Sequence, residues 1–206
     1  MSVVASRMPS KLILLTGEVE APHLSKMLRK QSSSLIVEAV TNAPGLSAAA
    51  QGDLAGVRLV SFLSDVIVPA AILSALDGPA YNFHPGPPAY PGSFVAGFAV
   101  YDGATEFGVT LHEMAPSVDS GSIIDVWHFP IPEDAKFLDV ERVSYATALQ
   151  MFADYAPYLA TDDTPLPHTG ERWSDRQCTR AEAERLKRIE ADLSEEEIVR
   201  RYRAFG

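Results

Sequence analysis

Apolar runs and helical stripes alternate along the first half of this chain. Residues 11–16, Lys-Leu-Ile-Leu-Leu-Thr, make a nearly unbroken apolar run of strand length, and a helix is expected over 21–30. A second strand is expected at 34–40, a short helix at 45–52 and a third strand at 57–62. A helix near 69–76 follows, with Pro69 suited to a first helical turn. The run 81–84, Tyr-Asn-Phe-His, reads as the fourth strand. Continuous apolar strands separated by helices predict an α/β fold: a doubly wound, mostly parallel sheet covered on both faces, Rossmann-like in outline. In such sheets ligands bind outside the carboxyl ends of the strands.

The second half is less regular. Residues 94–101 are expected to be helical, and 107–114 and 123–129 are strand candidates that extend the sheet. In a long helix over 138–155, Leu138, Tyr145, Leu149 and Phe152 recur at helical spacing and read as a core-facing stripe, with Pro157 helping to end the helix. Residues 161–170 hold two Asp, two Pro and a Gly and read as a surface linker. The stretch 180–205 is charged and helix-prone, with Ser194-Glu-Glu-Glu as a capping box. One main domain is therefore expected over 11–160. Residues 161–206 form a linker and helical tail, too short to be a domain of its own. The tail can pack back on the sheet, cover a site, or pair with a second subunit in a homodimer.

The candidate chemistry sits at the end of the fourth strand. Asn82 and His84 are two residues apart, so strand alternation points both to the same side. Pro85, Pro87, Pro88 and Pro91, with Gly86 and Gly92, then force a stiff, irregular loop. An amide and an imidazole held on a rigid strand end suit the gripping of a carbonyl oxygen as it becomes an oxyanion. Taken alone, an Asn-x-His reads more readily as a turn cap beside a core histidine. A second segment alters that balance: between two strand candidates, Val118-Asp119-Ser120-Gly121 is turn chemistry carrying one carboxylate at the mouth of the sheet.

Together the two segments resemble the catalytic core of the folate-dependent formyltransferases, whose signature is an Asn-x-His-Pro loop followed about three dozen residues later by an Asp-x-Gly turn. Asp119 follows His84 by 35 residues. The resemblance covers roughly residues 57–131. It implies transfer of a formyl group from 10-formyltetrahydrofolate, as co-substrate, to a primary amine. Asn82 and His84 would stabilise the oxyanion, and Asp119 would orient His84 and assist proton movement. It further implies a pterin pocket built from Leu63, Ser64, Val66 and Ile67, with Pro116, Ser117 and Val118 opposite. Asp65 falls where many relatives place a basic or apolar residue, and Gly86-Pro87-Pro88 replaces a common Ser-Leu-Leu. The wording of the loop looks closer to the sugar-formylating branch than to the purine one, so the expected acceptor is an amino sugar, nucleotide-linked. The alternatives are a 10-formyltetrahydrofolate hydrolase and a catalytically inactive folate-binding protein of the same fold. The hydrolases usually carry an extra N-terminal domain, whereas only about ten residues precede the first strand here.

Charge and composition narrow the partners. With 17 basic against 27 acidic residues the net charge is −10, which disfavours a nucleic-acid substrate. The tRNA-formylating relatives also carry a C-terminal domain for which this chain has no room. Arg172, Arg176, Arg180 and the cluster at 200–203 are the basic residues available to a nucleotide-linked acceptor. Thr16-Gly17-Glu18-Val19-Glu20 has one Gly and two acids where a phosphate-cradling loop needs several Gly, which excludes a dinucleotide fingerprint and disfavours a purine-pathway phosphate. Glu18 and Glu20 either complement a helix dipole or help to hold a cationic or hydroxyl-rich amine, and His23 could edge the acceptor pocket. No apolar run is long enough to span a bilayer and the N-terminus lacks a secretory core, so no membrane partner is expected. Cys178 is the only cysteine, which fits a cytoplasmic location. His112 and His128, on strands, and His168, in the linker, show no metal-ligand spacing, and no metal is expected.

Overall fold

The computed structural model describes residues 8–206. Among them, six strands form one sheet in the order β2-β1-β3-β4-β5-β6. The first four, β1 (Lys11–Leu15), β2 (Ile36–Val40), β3 (Val57–Phe62) and β4 (Tyr81–His84), are parallel and alternate with α1 (Ala21–Gln31), α2 (Ala43–Ala49) and α3 (Ala70–Ala75). After α4 (Val95–Asp102), β5 (Glu106–Glu113) runs antiparallel beside β4, and β6 (Ile123–Pro130) antiparallel beside β5. The α/β sheet expected from the sequence is therefore present, mixed rather than wholly parallel. Its antiparallel edge sets Thr110 of β5 opposite His84 and His112 opposite Asn82, so the end of β5 lies beside the start of β4.

Alternation along β1 explains why its sequence is apolar throughout. Leu12 and Leu14 face one core with Val60, Phe62, Tyr81 and Phe83, under α1 and α5 (Phe137–Thr161). Ile13 and Leu15 face the other core with Leu59, Leu46 and Ala49, under α2 and α3. On the first face Phe62, Phe83 and Phe152 pack as a ring cluster with centroids 5.2–5.9 Å apart. Phe83 lies between Asn82 and His84, so packing that anchors it fixes both site side chains on the opposite face of the strand.

Helix α5 departs from expectation in two ways. It continues through Pro157 to Thr161, although a proline inside a helix costs about 3 kcal/mol. The last turn survives because Ala156, Leu159 and Ala160 are buried in the main core and Arg58 reaches across from β3. The buried Arg58 guanidinium donates to the carbonyl oxygens of Tyr158 (3.2 Å) and Leu159 (3.0 Å) and lies over the Tyr158 ring. Both carbonyls lie in the last turn, where a helix leaves acceptors unpaired, and Tyr158 also accepts from the Asp162 amide at 3.0 Å. The second departure concerns the stripe. The core face of α5 is carried by Val140, Ser144, Ala148, Met151 and Phe152, whereas Leu138 and Tyr145 are exposed and line a cavity. Pro69 also shifts in role: it is the extended residue that caps α3, just ahead of the first turn.

The tail packs back on the domain. α6 (Arg180–Leu186) and α7 (Glu195–Phe205) build a third core with α4, in which Phe98, Phe107, Leu186, Ala204 and Phe205 are buried. Gly97 permits this approach, since a Cβ there would lie 2.6 Å from the Phe205 ring and 2.7 Å from the Ala204 carbonyl oxygen. Ser194 caps α7 by accepting from the Glu197 amide at 3.2 Å. No helix among the described residues is long and apolar enough to cross a membrane.

Arg58→Ala removes a buried cation and leaves the Leu159 carbonyl without its side-chain donor, so a loss of about 3 kcal/mol in urea unfolding is expected. A loss below about 1 kcal/mol would show that α5 does not rely on this contact.

Candidate active site

Asn82 and His84 emerge at the carboxyl end of β4, and Asp119, in the turn between β5 and β6, lies against them. The three side chains converge. Asp119 Oδ2 lies 3.3 Å from His84 Nδ1 and accepts from the Gly92 amide at 2.7 Å. Asp119 Oδ1 lies 3.5 Å from His112 Nε2. His112, on β5 directly opposite Asn82, completes the network: its Nε2 is 3.0 Å from Asn82 Nδ2. Its Nδ1 lies 2.7 Å from the Glu113 carbonyl oxygen, which can only accept, so the proton sits on Nδ1 and Nε2 receives the Asn82 amide. The orientation of the Asn82 amide thus follows from His112.

His112 is the residue that sequence reasoning missed. Sorted by ligand spacing it looks isolated, because its partners come from another strand and a turn. The signal that could have found it is its place on a strand expected to extend the sheet that carries 81–84.

The electrostatics of the network follow from burial. His84 is 3% exposed and Asp119 7%. Burial pushes the His84 pKa below the ordinary 6.5 despite the opposing pull of the Asp119 charge; His112 adds to the lowering, and the Tyr90 carbonyl, 3.0 Å from Nε2, works against it. Burial alone would raise the Asp119 pKa above 3.8. The neighbouring His112 and His84 rings, with the Gly92 amide, outweigh it and hold the carboxyl below that value. The arrangement is a neutral imidazole with an oxygen facing each ring nitrogen, so a proton taken up transiently has an acceptor ready on either side.

The site floors a cavity of about 930 Å³. All seven residues expected to bind the pterin line it: Leu63, Ser64, Val66, Ile67, Pro116, Ser117 and Val118. Ile67 (64% exposed) and Val118 (47%) present apolar surface there that a flat ring would cover. Three non-glycine residues with positive φ, Leu63 (51°), Phe94 (58°) and Asp119 (44°), all border the same cavity. Backbone in this region is costly, of order 1–3 kcal/mol each, and such residues gather at functional sites. Gly86 is required by the site itself: a Cβ there would lie 2.7 Å from His84 Nε2, which accounts for Gly where the resemblance leads one to expect Ser.

Of the basic tail residues, Arg180 borders the cavity, and Arg142 of α5 joins it. Arg176 pairs with Asp102, Arg201 with Glu197, Arg203 donates to the carbonyls of Glu133 and Ala135, and Arg200 lies over Tyr101, so these serve packing of the tail. Glu20 accepts from Tyr145 Oη at 2.9 Å, joining the first loop to the cavity wall. Among the described residues no cluster of three or more His, Cys, Asp or Glu could hold a metal ion.

A mixed α/β sheet here carries an amide, an imidazole and a carboxylate that converge at a strand end, a set suited to acyl-group chemistry. The profile of the family described as Formyl transferase matches residues 19–149, and the chain belongs to that family. Solved structures with the same fold include a sugar N-formyltransferase from a Shewanella species (16% identity, TM-score 0.76, covering 94% of this chain and 87% of that one). An N-formyltransferase from Helicobacter canadensis, in complex with folinic acid and dTDP-3-aminofucose, is 18% identical with TM-score 0.71, covering 96% and 81%. A 4-N formyltransferase from Francisella tularensis is 16% identical with TM-score 0.70, covering 96% and 88%. No curated protein sequence matches this chain significantly.

The lowered pKa values fix how stability depends on pH. A histidine buried neutral binds fewer protons folded than unfolded, so its contribution is complete above 6.5 and is lost as pH falls below that value toward its folded pKa. Asp119 acts lower, losing its contribution as pH falls from 3.8 through its folded value. Melting temperature should therefore decline in acid from about pH 6.5, and His84→Asn should flatten that upper part of the decline. An unchanged slope in the variant would assign the acid sensitivity to other groups.

Proposed function

We propose that this enzyme transfers the formyl group of 10-formyltetrahydrofolate to the primary amine of a nucleotide-linked amino sugar. The observation that carries the reading is the convergence of Asn82, His84 and Asp119 on the floor of one cavity whose upper walls are the pterin-binding candidates. The cavity volume suits a folate tip and an acceptor together, being at the upper end of the roughly 300–1,000 Å³ usual for small-molecule sites. The ligands of the Helicobacter canadensis relative, folinic acid and dTDP-3-aminofucose, support both halves of the reading.

In the reaction the amine nitrogen attacks the formyl carbon and the carbonyl π electrons move to oxygen. Asn82 retains a second Nδ2–H beyond the one given to His112, and this donates to the developing oxyanion. His84, held neutral by burial, accepts the proton that the attacking nitrogen sheds. The imidazolium so formed is stabilised by Asp119, which stays ionised throughout. Collapse of the adduct expels the folate nitrogen, which takes its proton from His84 and returns the imidazole to its starting state. The buried walls of His84 and Asp119 keep bulk water from competing for the formyl carbon.

Leu63, Val66, Ile67, Pro116 and Val118 supply apolar walls to a flat ring, with Ser64 and Ser117 beside them for its polar edge. The opposite wall, formed by Ser93, Glu141, Arg142, Tyr145 and Arg180, takes the acceptor. Glu141, whose carboxyl pKa is raised by partial burial, and the two arginines are its charged groups.

The test is turnover with 10-formyltetrahydrofolate and a panel of nucleotide-linked amino sugars that includes dTDP-3-aminofucose. Asn82→Ala and His84→Ala should each reduce kcat about a hundredfold, equivalent to roughly 3 kcal/mol of transition-state stabilisation, with folate affinity little changed. Normal turnover in both variants with an accepted substrate would overturn the assignment.

A further inference from the structure

The residues that follow α5 cross the site as a strap. Ser174 donates its amide to the Pro88 carbonyl at 2.9 Å and its hydroxyl to the Ala89 carbonyl at 2.9 Å. Cys178 donates to Pro91 at 2.8 Å and its carbonyl accepts from Ser93 at 2.8 Å, while Gly92 approaches so closely that a Cβ would lie 2.1 Å from the Cys178 oxygen. The proline-rich loop that carries the Asp119 hydrogen bond is thus stitched to the strap along its whole length. Immediately before these stitches stands Trp173. Its indole meets His112 edge-to-face at 4.9 Å between centroids and His84 at 5.4 Å, and its Nε1–H donates to the Gly121 carbonyl at 2.8 Å.

Trp173 does not line the cavity, although both histidines do. It is itself half-buried, and beneath it His84 is 3% exposed and His112 2%. One ring therefore touches the base and the residue that orients Asn82, and bonds to the turn that holds Asp119. Gly121 in turn packs closely against the end of β5, where a Cβ at that position would lie 1.8 Å from the Glu113 carbonyl oxygen.

We propose that Trp173 is a positioning residue for formyl transfer, a dry wall that fixes the spacing of His84, His112 and the Asp119 turn and keeps solvent from the side of the imidazoles that substrate does not cover. The functional meaning rests on the formyl-transfer reading; the test does not depend on the acceptor. The groups facing His84 are Asp119 from the β5–β6 turn, His112 from β5 and the Tyr90 carbonyl from the loop, with Asp65, Glu141, Arg142 and Arg180 elsewhere around the cavity. None of these comes from the strap beside Trp173, so removal of the ring changes hydration and spacing without removing a neighbouring charge.

The experiment is titration of the imidazole nitrogens by NMR in the wild type, Trp173→Ala and Trp173→Phe, with 5-formyltetrahydrofolate binding as the check of folding. Water admitted in Trp173→Ala should raise the His84 midpoint by roughly one pH unit, toward the value of a solvated imidazole. Trp173→Phe, which keeps an aromatic wall, should stay near the wild type. An unmoved or lowered midpoint in a folate-binding Trp173→Ala protein would overturn the proposal, as would a Phe variant no better than Ala. Should the Ala variant not fold, Trp127→Phe leaves Trp173 as the only indole. Its emission should then fall as the histidines beside it become charged, at the midpoint that NMR gives for them, and flat emission through that range would contradict the contact.

Discussion

Asp119 holds a negative charge where only 7% of its surface meets water, and it does so because the Gly92 amide and two imidazoles converge on it. Each of those partners comes from a different part of the chain: the proline-rich loop, the end of β4 and the end of β5. The carboxylate is therefore both the product of the fold and a constraint on it. If the antiparallel edge shifted its register, His112 would leave Asn82 and Asp119 together, since strand alternation would turn it to the other face. The positive φ of Asp119 is a local cost that those contacts offset.

The same logic explains why a base and an acid can sit together without neutralising each other permanently. Burial favours the uncharged imidazole, and the Asp119 charge favours the imidazolium. With burial the larger influence, His84 rests neutral, yet its protonated form is not stranded, because oxygens face both ring nitrogens. Such a group can hold a proton between two steps of a reaction, as formyl transfer to an amine requires.

Much of this architecture was legible in the amino-acid pattern. The strand 57–62 and the run 81–84 coincide with β3 and β4, because apolar runs of that length between turn residues have few other ways to be buried. Asn82, His84 and Asp119 could be singled out because a strand end and a turn are local features. What the pattern did not reveal depends on contacts distant in sequence. Pro157 reads as a helix terminator until Arg58, about a hundred residues away, is seen to secure the carbonyls beyond it. Leu138 and Tyr145 share the helical spacing of core residues but face a cavity, a distinction that periodicity alone cannot draw. His112 and Trp173 gain their meaning only from pairing of β4 with β5 and from the path of the strap. The segment after α5, with its prolines and charges, reads as a linker; in the fold it is bonded to the loop that shapes the site.

The central claim is that this site moves a formyl group from a folate to an amine. It is tested most directly by following the carbon itself. With 10-formyltetrahydrofolate labelled with carbon-13 at the formyl group and a nucleotide-linked amino sugar, NMR should show the label leaving the folate and appearing as a formamide on the sugar nitrogen. Label appearing as free formate, or remaining on the folate across the acceptor panel, would contradict the account.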